Sequence, residues 1–538
     1  MKLAIAQINT RLGDLKDNSN KILDYLSRAR KMGCDLVLFP RLALSGYAPE
    51  TLLKRPDFLA ACDKAFKTII KQTKGIGLIL NLPLKKPEDG RVYDAYCLIE
   101  DERVTATIYR RKLGSLGEEQ SRLSGGSELE PMTLSFRGLR LGILAQYSYG
   151  SGLNMASLLG LESIGQQIDI LMEIADRPYS YGEYKELVNR CSSLADGLKK
   201  PFIYINQVGG NGETIYSGNS LVFNKEGGLV KAGKVFDEDL IVHELFDNSL
   251  AITEAREDIG WVYRALVLGL RDYMRKTGLK KALLGLSGGI DSALAACLAA
   301  EALGRENVLG VNMPSKYSPQ HSIDDARELA KNLGIEFRLL PIGDIFNGYI
   351  NLMNTDKRTV GDLAEENIQA RIRGDLLMYI SNREGHMLIC PSNKSEASVG
   401  YTTMYGDMCG GLAILADIPK TLVYELSRYV NRDRVIIPEN TIRKPPSAEL
   451  RPDQVDEDSL PPYEILDPII DMYLEQNLSV DDMVNRGYEK DVLVTILNMI
   501  DRAEYKRRQM PPVVRITSNP SNLGVKIPLI NGFSWTSK

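Results

Sequence analysis

Histidine is nearly missing from this chain: only His243, His321 and His386 occur in 538 residues. Imidazole-based triads and His-rich zinc sites are therefore poor readings. The seven cysteines form no CxxC pair and no metal-ligand rhythm, which fits a reducing compartment; the expected location is the cytoplasm. No apolar run reaches the ~20 residues that span a bilayer, so no membrane partner is expected. The opening MKLAIAQINTRLGD lacks the basic–apolar–small order of a secretory signal. A formal net charge of -4 offers no general basic surface, and no nucleic-acid partner is expected. What remains for chemistry is carboxylates, lysines, backbone amides and an added metal ion.

The length, 538 residues, predicts roughly two to four domains. The first half alternates strand-like runs (KLAIAQI, CDLVLFP, IGLILNLPL, AYCLIE, IDILMEIA, PFIYINQV) with amphipathic stretches such as NSNKILDYLSRARKMG. Many strands with interposed helices predict an α/β fold, an αββα sandwich. The acidic stretch Phe236–Glu254 reads as the passage between halves. The predicted division is 1–245, a linker at 246–260, and 261–538. In the second half strands and helices alternate regularly, which predicts a doubly wound parallel sheet with ligands at the carboxyl ends of its strands.

The segment LLGLSGGIDSALAACLAA places Ser287, Gly288, Gly289, Asp291 and Ser292 between a buried strand and a helix. Two glycines allow close approach of an anion to the backbone, and the helix start offers free N–H groups. Ser287 and Ser292 add hydroxyl donors. Asp291 would repel bare phosphate but suits a magnesium ion that bridges phosphates. GxxxxGK[ST] is absent, so this is not a Walker A loop. SGGIDS resembles the pyrophosphate loop of the ATP-pyrophosphatases, which activate a carboxylate as an adenylate and then admit a nucleophile.

Further segments, in order, resemble NAD synthetases over roughly residues 260–515. In ENIQAR, Asn367 and Arg371 lie one helical turn apart on a shared face. NKSE ends on Glu396, YGD on Asp407, and ADIPK on Lys420. KPPSAELRPDQVDEDSL contains Ser447, and EYKRRQMPP contains Lys506. The resemblance implies ATP and Mg2+, with ATP held by Ser287, Gly288, Gly289, Asp291, Ser292, Arg371, Pro391 and Lys420. It implies deamido-NAD at Asn367, Glu396, Asp407 and Lys506, and metal at Asp291, Glu396 and Ser447. Asp407, Lys420 and Asp291 are the implied catalytic residues, Asp407 positioning ammonia. The family usually has threonine where Pro391 stands, so a hydroxyl and an N–H donor are lost there.

Residues 1 to about 245 resemble the nitrilase-like glutaminase domain fused to many NAD synthetases, whose Glu–Lys–Cys triad cleaves glutamine. In FPRLALSGY the general-base position holds Arg41, which accepts no proton. In GILAQYS the nucleophile position holds Gln146. The lysine position falls on Lys112 or Arg111 in YRRKLG. Ammonia-dependent amidation of deamido-NAD is the expectation, with a homo-oligomeric assembly. Two alternatives stay open: ammonia fed by a separate glutaminase partner, and a nucleotide-sensing pseudo-enzyme.

Overall fold

The computed structural model describes the chain except residues 48, 50, 113–131, 145–164, 248–251, 253–255, 354–362, 518–526, 531–534 and 536–538. It forms two compact units, Met1–Glu257 and Asp258–Lys538.

The first unit begins β1 (Lys2–Gln7), α1 (Leu15–Lys31), β2 (Leu36–Leu38), α2 (Pro56–Ile70), β3 (Gly77–Lys85), β4 (Val92–Glu100) and β5 (Arg103–Lys112). It continues β6 (Met132–Phe136), β7 (Leu139–Leu144), β8 (Ile170–Ile174), α3 (Tyr184–Leu198) and β9 (Phe202–Ile205). The short strands β10 (Val208–Asn211), β11 (Thr214–Ser217), β12 (Leu221–Phe223), β13 (Leu229–Ala232) and β14 (Asp239–Glu244) close it. One sheet runs β14-β1-β2-β3-β4-β5 and the second β13-β12-β9-β8-β7-β6.

Strand alternation fills two cores at once. Leu3 and Ile5 of β1 face the second sheet and join Ile170, Met172 and Ile203. Ala4 and Ala6 face the other way, onto Ile22 and Leu26 of α1 and Phe66 and Ile69 of α2. The predicted αββα sandwich is therefore present. One reading is corrected: Asp239–Glu244, inside the acidic stretch taken as a passage between halves, is an edge strand. It pairs antiparallel with β1, Lys2 opposite Glu244. Charged residues on an edge strand protect its open side, so local composition resembles a linker.

The second unit starts with α4 (Ile259–Thr277), β15 (Lys281–Gly285), α5 (Ile290–Leu303), β16 (Val308–Asn312), α6 (Gln320–Leu333) and β17 (Glu336–Leu339). Then come α7 (Gly343–Met353), α8 (Leu363–Glu384), β18 (His386–Cys390), α9 (Lys394–Val399), β19 (Leu412–Ala413) and α10 (Lys420–Val430). The last helices are α11 (Glu439–Arg443), α12 (Tyr463–Leu474), α13 (Val480–Asn485), α14 (Lys490–Arg502) and α15 (Glu504–Arg507). The sheet runs β17-β16-β15-β18-β19 and every pairing is parallel. The chain leaves β15 toward β16 and β17, then returns to β18 on β15's other side. That reversal makes the carboxyl ends of β15 and β18 a topological switch point, where open α/β sheets bind ligands. No described helix is long and apolar enough to cross a membrane.

Candidate active site

A cavity of about 280 Å³ lies at that switch point, lined by Ser287, Gly289, Asp291 and Ser292 after β15, and by Pro391, Ser392 and Glu396 after β18. Asp407, Lys420, Lys444 and Ser447 complete the polar wall.

The loop after β15 is fixed from within. Gly288 has φ +82°, and a Cβ there would stand 2.3 Å from the carbonyl oxygen of Ser322, so only glycine fits. The Ser287 hydroxyl accepts the Gly289 N–H at 3.1 Å, and the Ser292 hydroxyl donates to the Gly289 carbonyl at 3.0 Å. Asn312, ending β16, donates to the Leu286 carbonyl at 2.6 Å. The loop thus presents the start of α5 to the cavity already shaped, an anion-binding arrangement.

Three charges meet beside it. The Lys420 ammonium, 2 % exposed, pairs with Asp291 at 2.6 Å and with Glu396 at 3.3 Å. Asn393 joins the cluster by donating to Asp291 at 2.9 Å, while its side-chain oxygen caps α9 by accepting the Glu396 N–H at 2.9 Å. Burial by itself would lower the pKa of Lys420; the carboxylates of Asp291 and Glu396 outweigh it and hold the ammonium protonated. Burial pushes the Glu396 carboxyl upward against the pull of Lys420, with Asp291 and Asp456 adding to the rise. Negative charge is therefore in surplus around one lysine. Lys420 is held by its own backbone: its N–H donates to the Ser395 hydroxyl at 2.8 Å, and Ser395 in turn donates to buried Asp467.

Asp407 sits on a turn pressed against α8. A Cβ on Gly374 would lie 2.8 Å from the Tyr405 carbonyl, so the small residue sets the distance between helix and turn. The Asp407 side chain is exposed to the open cavity, and its carboxylate accepts the Thr403 N–H at 2.6 Å. Burial raises its pKa to about 6, against the lowering effect of backbone donors and Lys506.

The other expected positions divide. Asn367 accepts the Thr403 hydroxyl at 2.8 Å, and Arg371 donates to the Met404 carbonyl at 3.3 Å. Both support the Asp407 turn, and neither lines the cavity. Lys506 likewise donates to the carbonyls of Gly400 and Thr402, each at 2.7 Å. Ser447 reaches the cavity; its hydroxyl accepts the Glu449 N–H at 3.1 Å and touches neither Asp291 nor Glu396. Sequence reasoning passed over Arg373, which does line the cavity.

In the first unit Arg41 is 8 % exposed. It donates Nε to Asp94 at 3.0 Å, and a terminal nitrogen pairs with Asp176. Asp94 also accepts Asn81 Nδ2 at 2.5 Å, and Asn81 accepts the Leu42 N–H at 3.0 Å. Asp94 lies on β4 of one sheet and Asp176 follows β8 of the other, so the guanidinium spans the sandwich. Lys112 ends β5, but its side chain lies outside the described residues, as does Gln146.

A family profile described as NAD synthase matches residues 262–511, and one described as carbon-nitrogen hydrolase matches residues 2–251. The chain is 37% identical to the glutamine-dependent NAD(+) synthetase of Synechocystis sp., covering 99% of both proteins. The chain belongs to the two-domain NAD synthetase family. The enzyme named glutamine-dependent NAD(+) synthetase in Aquifex aeolicus is 38% identical over 99% of this chain and 100% of its own. A solved glutamine-dependent NAD+ synthetase from Acinetobacter baumannii, in complex with adenosine diphosphate, is similar at 33% identity. Its TM-score is 0.75 with 100% of this chain and 99% of that chain covered. As an NAD synthetase the protein is a ligase that forms a carbon–nitrogen bond and uses ATP as substrate.

Proposed function

We propose that this NAD synthetase amidates deamido-NAD with ammonia and does not hydrolyse glutamine. The observation that carries this is Arg41, which stands at the general-base position with its guanidinium tied to Asp94 and Asp176. A guanidinium accepts no proton at any working pH. Gln146, at the nucleophile position, has no thiolate to attack an amide. The described cysteines offer no substitute: Cys34, Cys62, Cys97 and Cys191 are all buried, and burial pushes their thiols upward. The relatives named above are glutamine-dependent by name; this chain departs at the two positions where that activity resides. The purified protein, given glutamine with ATP and deamido-NAD, is expected to release no glutamate above the buffer rate. Glutamate release above that rate, whether or not a thiol-directed glutamine analogue abolishes it, would overturn the reading.

In the synthetase half, a nicotinate carboxylate oxygen attacks the α-phosphorus of ATP, forming the adenylate as pyrophosphate leaves toward the Ser287–Ser292 loop. Ammonia then attacks the activated carbonyl carbon, AMP departs, and Asp407 takes the proton lost by nitrogen. Lys420 stabilises charge growing on the phosphates. The donor set beside it fits magnesium: among the described residues no three-ligand metal cage exists, yet magnesium needs only one or two protein carboxylates and fills its shell with water and phosphate oxygens. Asp291 and Glu396 would hold it, and bound there it offsets phosphate charge.

The pH dependence follows from Asp407, whose pKa is raised to about 6. Only its carboxylate form receives the proton released as ammonia attacks, so the working form is lost as pH falls through that value. With free ammonia held constant, the rate is expected to drop roughly tenfold per unit well below the pKa. The Asp407→Asn variant should be slow with this limb gone. An unchanged acid limb in that variant would remove Asp407 from the role.

A further inference from the structure

Three cations line the wall of the synthetase cavity: Arg373, Lys420 and Lys444. Lys420 is paired with Asp291 and Glu396, and Lys444 with Asp325 at 3.3 Å. Arg373 has no ion-pair partner among the described residues. Its Nε donates to the Met313 carbonyl at 2.9 Å, just beyond β16, and its terminal nitrogens find no acceptor there. Glu449 and Asp407 act on it only at longer range, and burial pulls its pKa down to about 10, so it stays charged at neutral pH. Arg41 shows how this chain treats a structural arginine: with two aspartates against it. A half-buried guanidinium in a cavity wall without a counter-ion costs stability, and the cost is sensible where a ligand brings the anion. The single bond from Nε to a carbonyl fixes the plane and leaves the two terminal amino groups, with four N–H donors, as a fork for an oxyanion.

We propose that Arg373 is the oxyanion clamp of this cavity, gripping an oxyanion brought by the substrates. Two substrate groups have that chemistry, a phosphoryl group of ATP and the nicotinate carboxylate of deamido-NAD; the adenylate joins them in one molecule. Its neighbours favour the reacting end of the substrates, because Arg373 shares the wall with Asp407, where the amine attacks. The clamp rests on both nucleotides occupying this cavity and is independent of the nitrogen source.

The test uses the full chain with Arg373→Met and Arg373→Lys, measuring thermal unfolding without ligand, with ATP and with deamido-NAD, together with KM for each. Arg373→Met is expected to unfold at the wild-type temperature or above, because an uncompensated charge is removed. KM for the gripped substrate should rise roughly 10- to 100-fold, the scale of a lost charged hydrogen-bond pair. Arg373→Lys, which keeps the charge but not the fork, should fall between. A thermal shift lost with ATP alone assigns the phosphoryl group, and one lost with deamido-NAD alone assigns the carboxylate. Lower unliganded stability with both KM values unchanged would overturn the clamp and make Arg373 a structural residue. A wild-type protein stabilised by neither nucleotide would instead overturn their placement in the cavity, and the clamp with it.

Discussion

Lys420→Met is expected to abolish NAD formation and to destabilise the C-terminal unit by about 3–5 kcal/mol, the usual result of removing one partner from a buried charge cluster. The side chain is 2 % exposed and is the only cation within ion-pair distance of Asp291 and Glu396 among the described residues. Methionine preserves the volume of the stem, so packing changes little and the electrostatic loss dominates. Two carboxylates would then face each other with Asp456 close by, and the ammonium that offsets phosphate charge on ATP would be gone. Urea unfolding measures the first effect and steady-state synthesis the second. Lys420→Arg separates them: charge survives, so most stability should return, while the larger head displaces the ATP-facing geometry and synthesis stays low. Wild-type stability in Lys420→Met would show that the three groups are not coupled.

Arg41→Glu is expected to destabilise the N-terminal unit by at least about 3–5 kcal/mol and to restore no glutaminase activity, even combined with Gln146→Cys. The substitution places a carboxylate where we propose the general base belongs, but against Asp94, which is 0 % exposed, and buried Asp176. Burial already pushes the Asp176 carboxyl upward, and the Arg41 guanidinium is what pulls it back. Removing that cation takes the Arg41 ion pair from two buried acids; adding a third worsens the repulsion. Arg41→Met should cost less than Arg41→Glu, and Arg41→Met with Asp94→Asn and Asp176→Asn should recover much of the loss. Equal unfolding midpoints for Arg41→Glu and wild type would show that the pairs contribute nothing. Arg41 is thus a strut between two sheets, and replacing it requires changing its partners too.

Much of the synthetase site is legible in the chain because its signals are local. SGGIDS joins a strand to a helix, and Gly288 is required by a single close approach to Ser322. Asn393 and Glu396 lie three residues apart in a capping box, a pattern readable without a structure. Helix α8 was harder. Asn367 and Arg371 share a face, but that face meets the Thr403 hydroxyl and the Met404 carbonyl. The cavity sees Ala370, Arg373, Gly374 and Leu377, the i, i+3, i+4, i+7 positions of a different face. Periodicity tells which residues travel together and leaves open what each face meets. The arginine at the base position was visible in FPRLALSGY, yet Asp94 and Asp176 lie 53 and 135 residues further along the chain. No local pattern connects them, and only the pairing of two sheets brings them to one guanidinium.

The most direct test of the central claim is NAD formation from deamido-NAD, ATP and magnesium with either ammonium or glutamine as the sole nitrogen source. Turnover with ammonium and none with glutamine is the predicted result. Turnover with glutamine at a comparable rate would contradict it, placing a working nucleophile and base somewhere other than Gln146 and Arg41.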